Sequence, residues 1–150
     1  MRRLLTLALL ATLSVVSAHA HLAASSPAAD AVVPTTEAAS VITLEFTEGV
    51  ELGFSTFRLV PIEHQLDVTD DTFAMRLNAL AAQKAAEVLG VRGEVEGEIP
   101  FQLEPARGTV EKFDLQLAEP LAPGSYVLAW RVLSVDTHVI EEFITFTVAP

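Results

Sequence analysis

From Pro123-Gly124 onward, apolar side chains recur at every second position. Tyr126, Leu128, Trp130 and Val132 form one run, and Ile144, Phe146 and Val148 form the next. A period of two places every second side chain on one face of a strand. The same alternation appears at Ile42, Leu44 and Phe46, at Phe57 and Leu59, and at Phe113, Leu115 and Leu117, with a shorter run at Phe101 and Leu103. Several short strands punctuated by turns predict a mainly β fold, a sandwich or barrel. The chain has no cysteine, so packing alone must hold those strands together. The same absence excludes a blue-copper centre, which needs a thiolate.

One segment breaks the pattern. Phe73, Leu77, Leu80, Ala81 and Val88 follow helical spacing, Asp70 and Asp71 can cap and charge the first turn, and Gly90 can stop it. A helix is predicted at about residues 71–89. Residues 22–40, with Pro27 and Pro34, read as an extended arm. Glu48-Gly49 reads as a turn ending the first clear strand, and Gly93 to Gly97, with Glu94, Glu96 and Glu98 nearby, as a solvated loop.

The amino end has its own logic. Met1-Arg2-Arg3 precedes an apolar run from Leu4 to Val16 and then Ser17-Ala18-His19-Ala20. This is the pattern of an export leader cleaved after a small residue. Residues 1–20 are read as that leader and 21–150 as one domain. Cleavage after Ala18, exposing His19, is the lesser alternative. The apolar run is too short for a spanning helix. Removing the leader takes away Arg2 and Arg3 and changes the net charge from −11 to −13, which disfavours nucleic acid and anionic lipid as partners.

Cleavage after Ala20 would expose His21 with a free amine. An amine and an imidazole on one residue can chelate a metal through two nitrogens. Asp136-Thr137-His138 offers a carboxylate and a second imidazole. In extended backbone these two side chains would point the same way. Nitrogen and oxygen donors of this kind suit tetragonal Cu(II). Asp136 would either ligate or orient an imidazole from behind. The amine, ordinarily titrating at about 7.7–8.0, must lose its proton to bind, so binding should weaken on acidification. His64 is expected to be a surface residue, Trp130 a core anchor, and Arg131 a partner for a carboxylate.

The run from Leu121 through Pro123-Gly124, Tyr126-Val127-Leu128-Ala129-Trp130-Arg131 and Ser134-Val135-Asp136-Thr137-His138 closely resembles the CopC family of periplasmic copper-binding proteins. His21-Leu22 with Ser26-Pro27-Ala28 resembles the family's mature start, and Leu44-Glu45-Phe46-Thr47-Glu48 its first clear strand. The resemblance implies a Greek-key β-sandwich of the cupredoxin or immunoglobulin-like type. It implies Cu(II) held by His21, Asp136 and His138, and residues 62–108 as an insertion carrying the helix. It further implies a periplasmic, non-enzymatic role in copper homeostasis and resistance, with delivery to a CopD-type inner-membrane copper transporter. Two features depart from the family. Its proline after the motif histidine and the glycine three residues on are here Val139 and Glu142. Its methionine-rich Cu(I) loop has no counterpart, since only Met75 follows the leader. The competing readings are a histidine-brace copper enzyme and a metal-free envelope interaction module.

Overall fold

The computed structural model describes residues 20–37 and 40–150. Residues 1–19 of the leader pattern, His19 among them, lie outside the described residues; Ala20 is described and is buried against the core. Eight strands form two four-stranded sheets. The first has the order β1 (Leu22–Ser26), β3 (Val41–Glu51), β6 (Thr109–Leu117), β5 (Phe101–Glu104). The second has the order β2 (Val32–Pro34), β8 (Val139–Ala149), β7 (Gly124–Leu133), β4 (Thr56–Ile62). Every pairing is antiparallel except β2 with β8. The chain changes sheet at each step from β1 to β5, so neighbours in sequence lie in opposite layers of a Greek-key sandwich.

The alternating residues meet between the sheets. Ile42, Leu44, Phe46, Phe57, Leu59, Phe113, Leu115, Leu128, Trp130, Ile144 and Phe146 form one buried cluster. Trp130 is fully buried with its ring edge-on to Phe46, centroids 5.6 Å apart. It is the core anchor expected of it.

The helix α1 (Phe73–Gly90) packs on the outer face of the second sheet. Ala81, Ala85, Val88 and Leu89 meet Val60, Val127 and Ala129 there, with Phe143 beside them. Strand β7 is therefore covered on both faces and buried almost continuously from Ser125 to Trp130. A strand buried on both faces has no polar side to show. Leu80, placed inward by the period, is 41% exposed; the buried stripe runs Phe73, Leu77, Ala81, Ala85 and Val88. The helix begins later than its acidic residues. Asp70 sits before it and accepts from the backbone N–H and hydroxyl of Thr72, both at 2.7 Å.

Two loop expectations are corrected. Glu48-Gly49 does not end its strand; β3 continues to Glu51, and its register against β6 slips between Glu45 and Val50. A bulge absorbs the turn-forming residues without breaking the ladder. Glu98 is not solvated. Its Oε2 accepts from Arg58 Nη1 at 2.6 Å, and Arg58 Nη2 donates to the carbonyl of Gly93 at 2.7 Å. One guanidinium thus binds the loop after the helix to β4.

Among the described residues no helix is long and apolar enough to cross a membrane.

Candidate metal centre

Strand β3 organises the site. One of its edges is taken by β6; Val50 pairs there with Val110. The other edge carries β1 and, beyond β1, the tip of the β7–β8 hairpin. Thr47 N donates to the carbonyl of His21 at 2.8 Å, Val135 N donates to the carbonyl of Gly49 at 3.0 Å, and Ser134 bridges Val50. His21 and the Asp136–His138 turn are thereby seated on one edge of one strand. Their anchor points lie two residues apart, about 7 Å at strand rise.

The turn is not the extended backbone that the spacing suggests. Ser134 N donates to the carbonyl of His138 and Thr137 N to that of Ser134, both at 2.9 Å. Thr137 sits at φ +71°, a conformation costly for a β-branched residue and tolerated where surroundings enforce it. The turn, not strand alternation, brings the two side chains together. His138 Nδ1 donates to Asp136 Oδ2 at 2.7 Å, and His138 N donates to Oδ1 at 3.2 Å. The Ser134 hydroxyl donates to Oδ1 as well. These donors, Ser134 first and then His138, hold the Asp136 carboxyl at about 2, well below the usual carboxylate range. In this geometry Asp136 orients the imidazole through Nδ1, the arrangement by which carboxylates fix metal-binding histidines.

Besides the bond from Thr47 N to its carbonyl, His21 makes contacts through its own two kinds of nitrogen. Its backbone nitrogen, a peptide amide in the uncleaved chain, donates to Thr47 Oγ1 at 3.1 Å. Its ring Nδ1 donates to Glu142 Oε1 at 2.6 Å. Sequence reasoning assigned no contact to Glu142, although a signal was available. Residues 140, 142, 144, 146 and 148 of β8 form one inward row, and Ile140, Ile144, Phe146 and Val148 all join the core. Glu142 is the one charged side chain in that row. Glu48 was missed too; its Oε2 is buried and has no hydrogen-bond partner, a costly state for a carboxylate oxygen.

The three sequence-derived residues and Glu142 thus form two nitrogen–oxygen pairs, His21 with Glu142 and Asp136 with His138. Among the described residues no group of three or more such side chains forms a preassembled metal cage. The donor types nonetheless fit a divalent ion. Each pair joins an imidazole nitrogen to a carboxylate oxygen through one hydrogen bond, at 2.6 and 2.7 Å, so a carboxylate stands beside each candidate nitrogen ligand.

His64 is elsewhere. Leu66 N donates to its Nδ1 at 3.0 Å, so Nε2 carries the proton and meets Ser125 Oγ at 2.7 Å, with Phe73 against the ring. Ser125 and Leu133 lie at opposite ends of β7, roughly 26 Å apart. His64 braces the helix end of the sandwich, partly buried and distant from the hairpin tip. Arg131 pairs with a carboxylate as expected; its Nε meets Glu141 Oε1 at 2.5 Å on the surface.

An eight-stranded sandwich with a histidine–aspartate turn at one hairpin tip defines a class, and comparison with known proteins identifies it. The CopC domain profile matches residues 22–149, and the chain belongs to the CopC family. Among individual relatives it is 33% identical over 131 residues to Protein YobA of Escherichia coli K12, covering 87% of this chain and 79% of that one. Its fold is similar to that of PcoC, a methionine-rich copper resistance protein from Escherichia coli. That match has 27% identity and a TM-score of 0.56, and covers 87% of this chain and 99% of PcoC. It also shares its fold with CopC from Methylosinus trichosporium OB3b, at 24% identity and TM-score 0.52, over 88% and 95% of the two chains.

Proposed function

We propose that this protein is exported to the periplasm, binds one Cu(II) ion and carries or buffers it in copper homeostasis and resistance. Residues 1–20 are the leader. Residues 21–150 are a single CopC-like domain, with 62–108 inserted. The ligands are the amine and imidazole of His21, with His138 and its partner Asp136. One observation carries this reading: His21 and the Asp136–His138 turn are held on the same edge of β3, although more than a hundred residues separate them. Membership of the CopC family and the fold shared with a copper resistance protein support it.

The chemistry follows from the donors. Cleavage converts the His21 amide, lodged at Thr47 Oγ1, into an amine that forms a six-membered chelate ring with Nδ1. His138 adds a neutral nitrogen, and Asp136 a negative charge close by. Nitrogen and oxygen donors without thiolate or thioether favour Cu(II) over Cu(I). A site whose donors are supplied by the protein leaves little room for oxygen or substrate, so we read a carrier and not an enzyme. A CopD-type membrane protein, as a separate chain, is the proposed recipient.

The test is equilibrium dialysis against Cu(II) of protein whose first residue is His21. One tightly bound equivalent is expected. His21→Ala and His138→Ala should each lose tight binding with unchanged far-ultraviolet circular dichroism. Lack of stoichiometric binding by the parent protein overturns the reading. Oxidation of a polysaccharide by the loaded protein with reductant and peroxide would replace the carrier with an enzyme.

A further inference from the structure

We propose that Glu142 is a ligand of the bound Cu(II), supplying a carboxylate oxygen next to His21 Nδ1; this rests on the copper reading above. The residue is the one acid on the core-facing side of its strand, partly buried with its side chain one-third exposed. It is paired across the sheet with the core tryptophan Trp130 and belongs to the row that otherwise carries Ile140, Ile144, Phe146 and Val148. A partly buried carboxylate on that face is favoured by a polar partner. The partner it has is His21, through a hydrogen bond of 2.6 Å to Nδ1.

The identity of that nitrogen matters. A terminal histidine can chelate with its amine only through Nδ1, because the ring closed through Nδ1 has six members and Nε2 lies too far away. Glu142 Oε1 is therefore on the nitrogen that must meet the metal. An ion bound through Nδ1 takes the place of the proton held there, and the carboxylate, one hydrogen bond away, is near enough to turn onto the same ion. Electrostatics favour retention. The His21 amine, the two imidazoles and one Asp136 carboxylate leave a divalent ion with one positive charge uncompensated, and a second carboxylate cancels it.

The experiment compares the protein beginning at His21 with Glu142→Gln and Glu142→Gly. Each is loaded with one equivalent of Cu(II) and read by electron paramagnetic resonance and by competition against a chelator. Both variants should raise g∥, lower A∥ and weaken binding by about 10–100-fold. Glu142 is one-third exposed at its side chain, so both should fold, which circular dichroism checks. Parent and variant spectra that coincide overturn the proposal, even if affinity falls, because Glu142 would then only position His21. Failure of the parent protein itself to bind one equivalent overturns the copper reading, and this proposal with it.

Discussion

Asp136 shows how one partly buried carboxylate is recruited by its own turn. Three hydrogen bonds, from the Ser134 hydroxyl and from the ring and backbone of His138, favour its ionised form and lower its titration to about 2. Because the folded value lies below the ordinary one near 3.9, the stabilisation is fully present above about pH 4. It is lost as pH falls toward 2. Carboxyl-detected NMR titration of the metal-free protein should show this depressed transition, and the His138 amide should begin to exchange faster over the same range. Asp136→Asn should abolish that acid response. The pairing of Asp136 with His138 was visible in the sequence because both lie in one five-residue turn. The bond between His21 and Glu142 was not, since nothing in local composition says which distant strand a chain terminus will face. The alternation of β8 did place Glu142 on the core side, and a charged residue in an apolar row was the available clue.

Among the elements, β3 carries the most function per residue. Its bulge keeps Gly49 in the strand, where the glycine lies against the hairpin tip. A β-carbon added there would stand 3.0 Å from Thr109 Cγ2 and 3.1 Å from Val135 Cγ1, closer than neighbours tolerate without shifting. Gly49→Ala should displace Val135 and the attached Asp136–His138 turn, costing about 1–3 kcal/mol of stability as overpacking does and weakening Cu(II) binding. Chemical denaturation and competition titration check the two effects; unchanged affinity would mean that the turn is set by its own hydrogen bonds alone. The helix is the second element of consequence. Its buried stripe was legible from periodicity at Phe73, Leu77 and Ala81, whereas Leu80 was not distinguishable from them, because a helix of small residues leaves the width of its buried face to tertiary contacts. Leu77 is 1% exposed, and Leu77→Ala should cost about 2–5 kcal/mol in denaturant unfolding with no change in the copper spectrum.

For the whole molecule, the absence of cysteine leaves no covalent tie between the first strand and the last hairpin. A bound ion would supply one. Ligands at residues 21 and 138 bind only when β1 and the β7–β8 hairpin are both seated on β3, so the ion selects the folded state. At a free Cu(II) concentration of 100 times the dissociation constant, stability should rise by about 2.7 kcal/mol. Calorimetry should show a melting temperature that climbs with copper in the parent protein and stays flat in His138→Ala. The two-sheet architecture was legible from six alternating runs and the family resemblance. The way the sheets are edged was less so, because β1 and β2 are short arms whose pairing depends on partners far along the chain.

The helix laid across the second sheet has a consequence for any attempt to shorten this protein. Val60, Val127, Ala129 and Phe143 face it, and without it they would confront water as a flat, sticky β surface of the kind that drives chains to associate. A minimal version lacking residues 62–108 could not be made by excision alone: it would also lose β5 and bare the edge of β6, and those four positions would have to be rewritten as hydrophilic side chains before the truncated sandwich stayed monomeric.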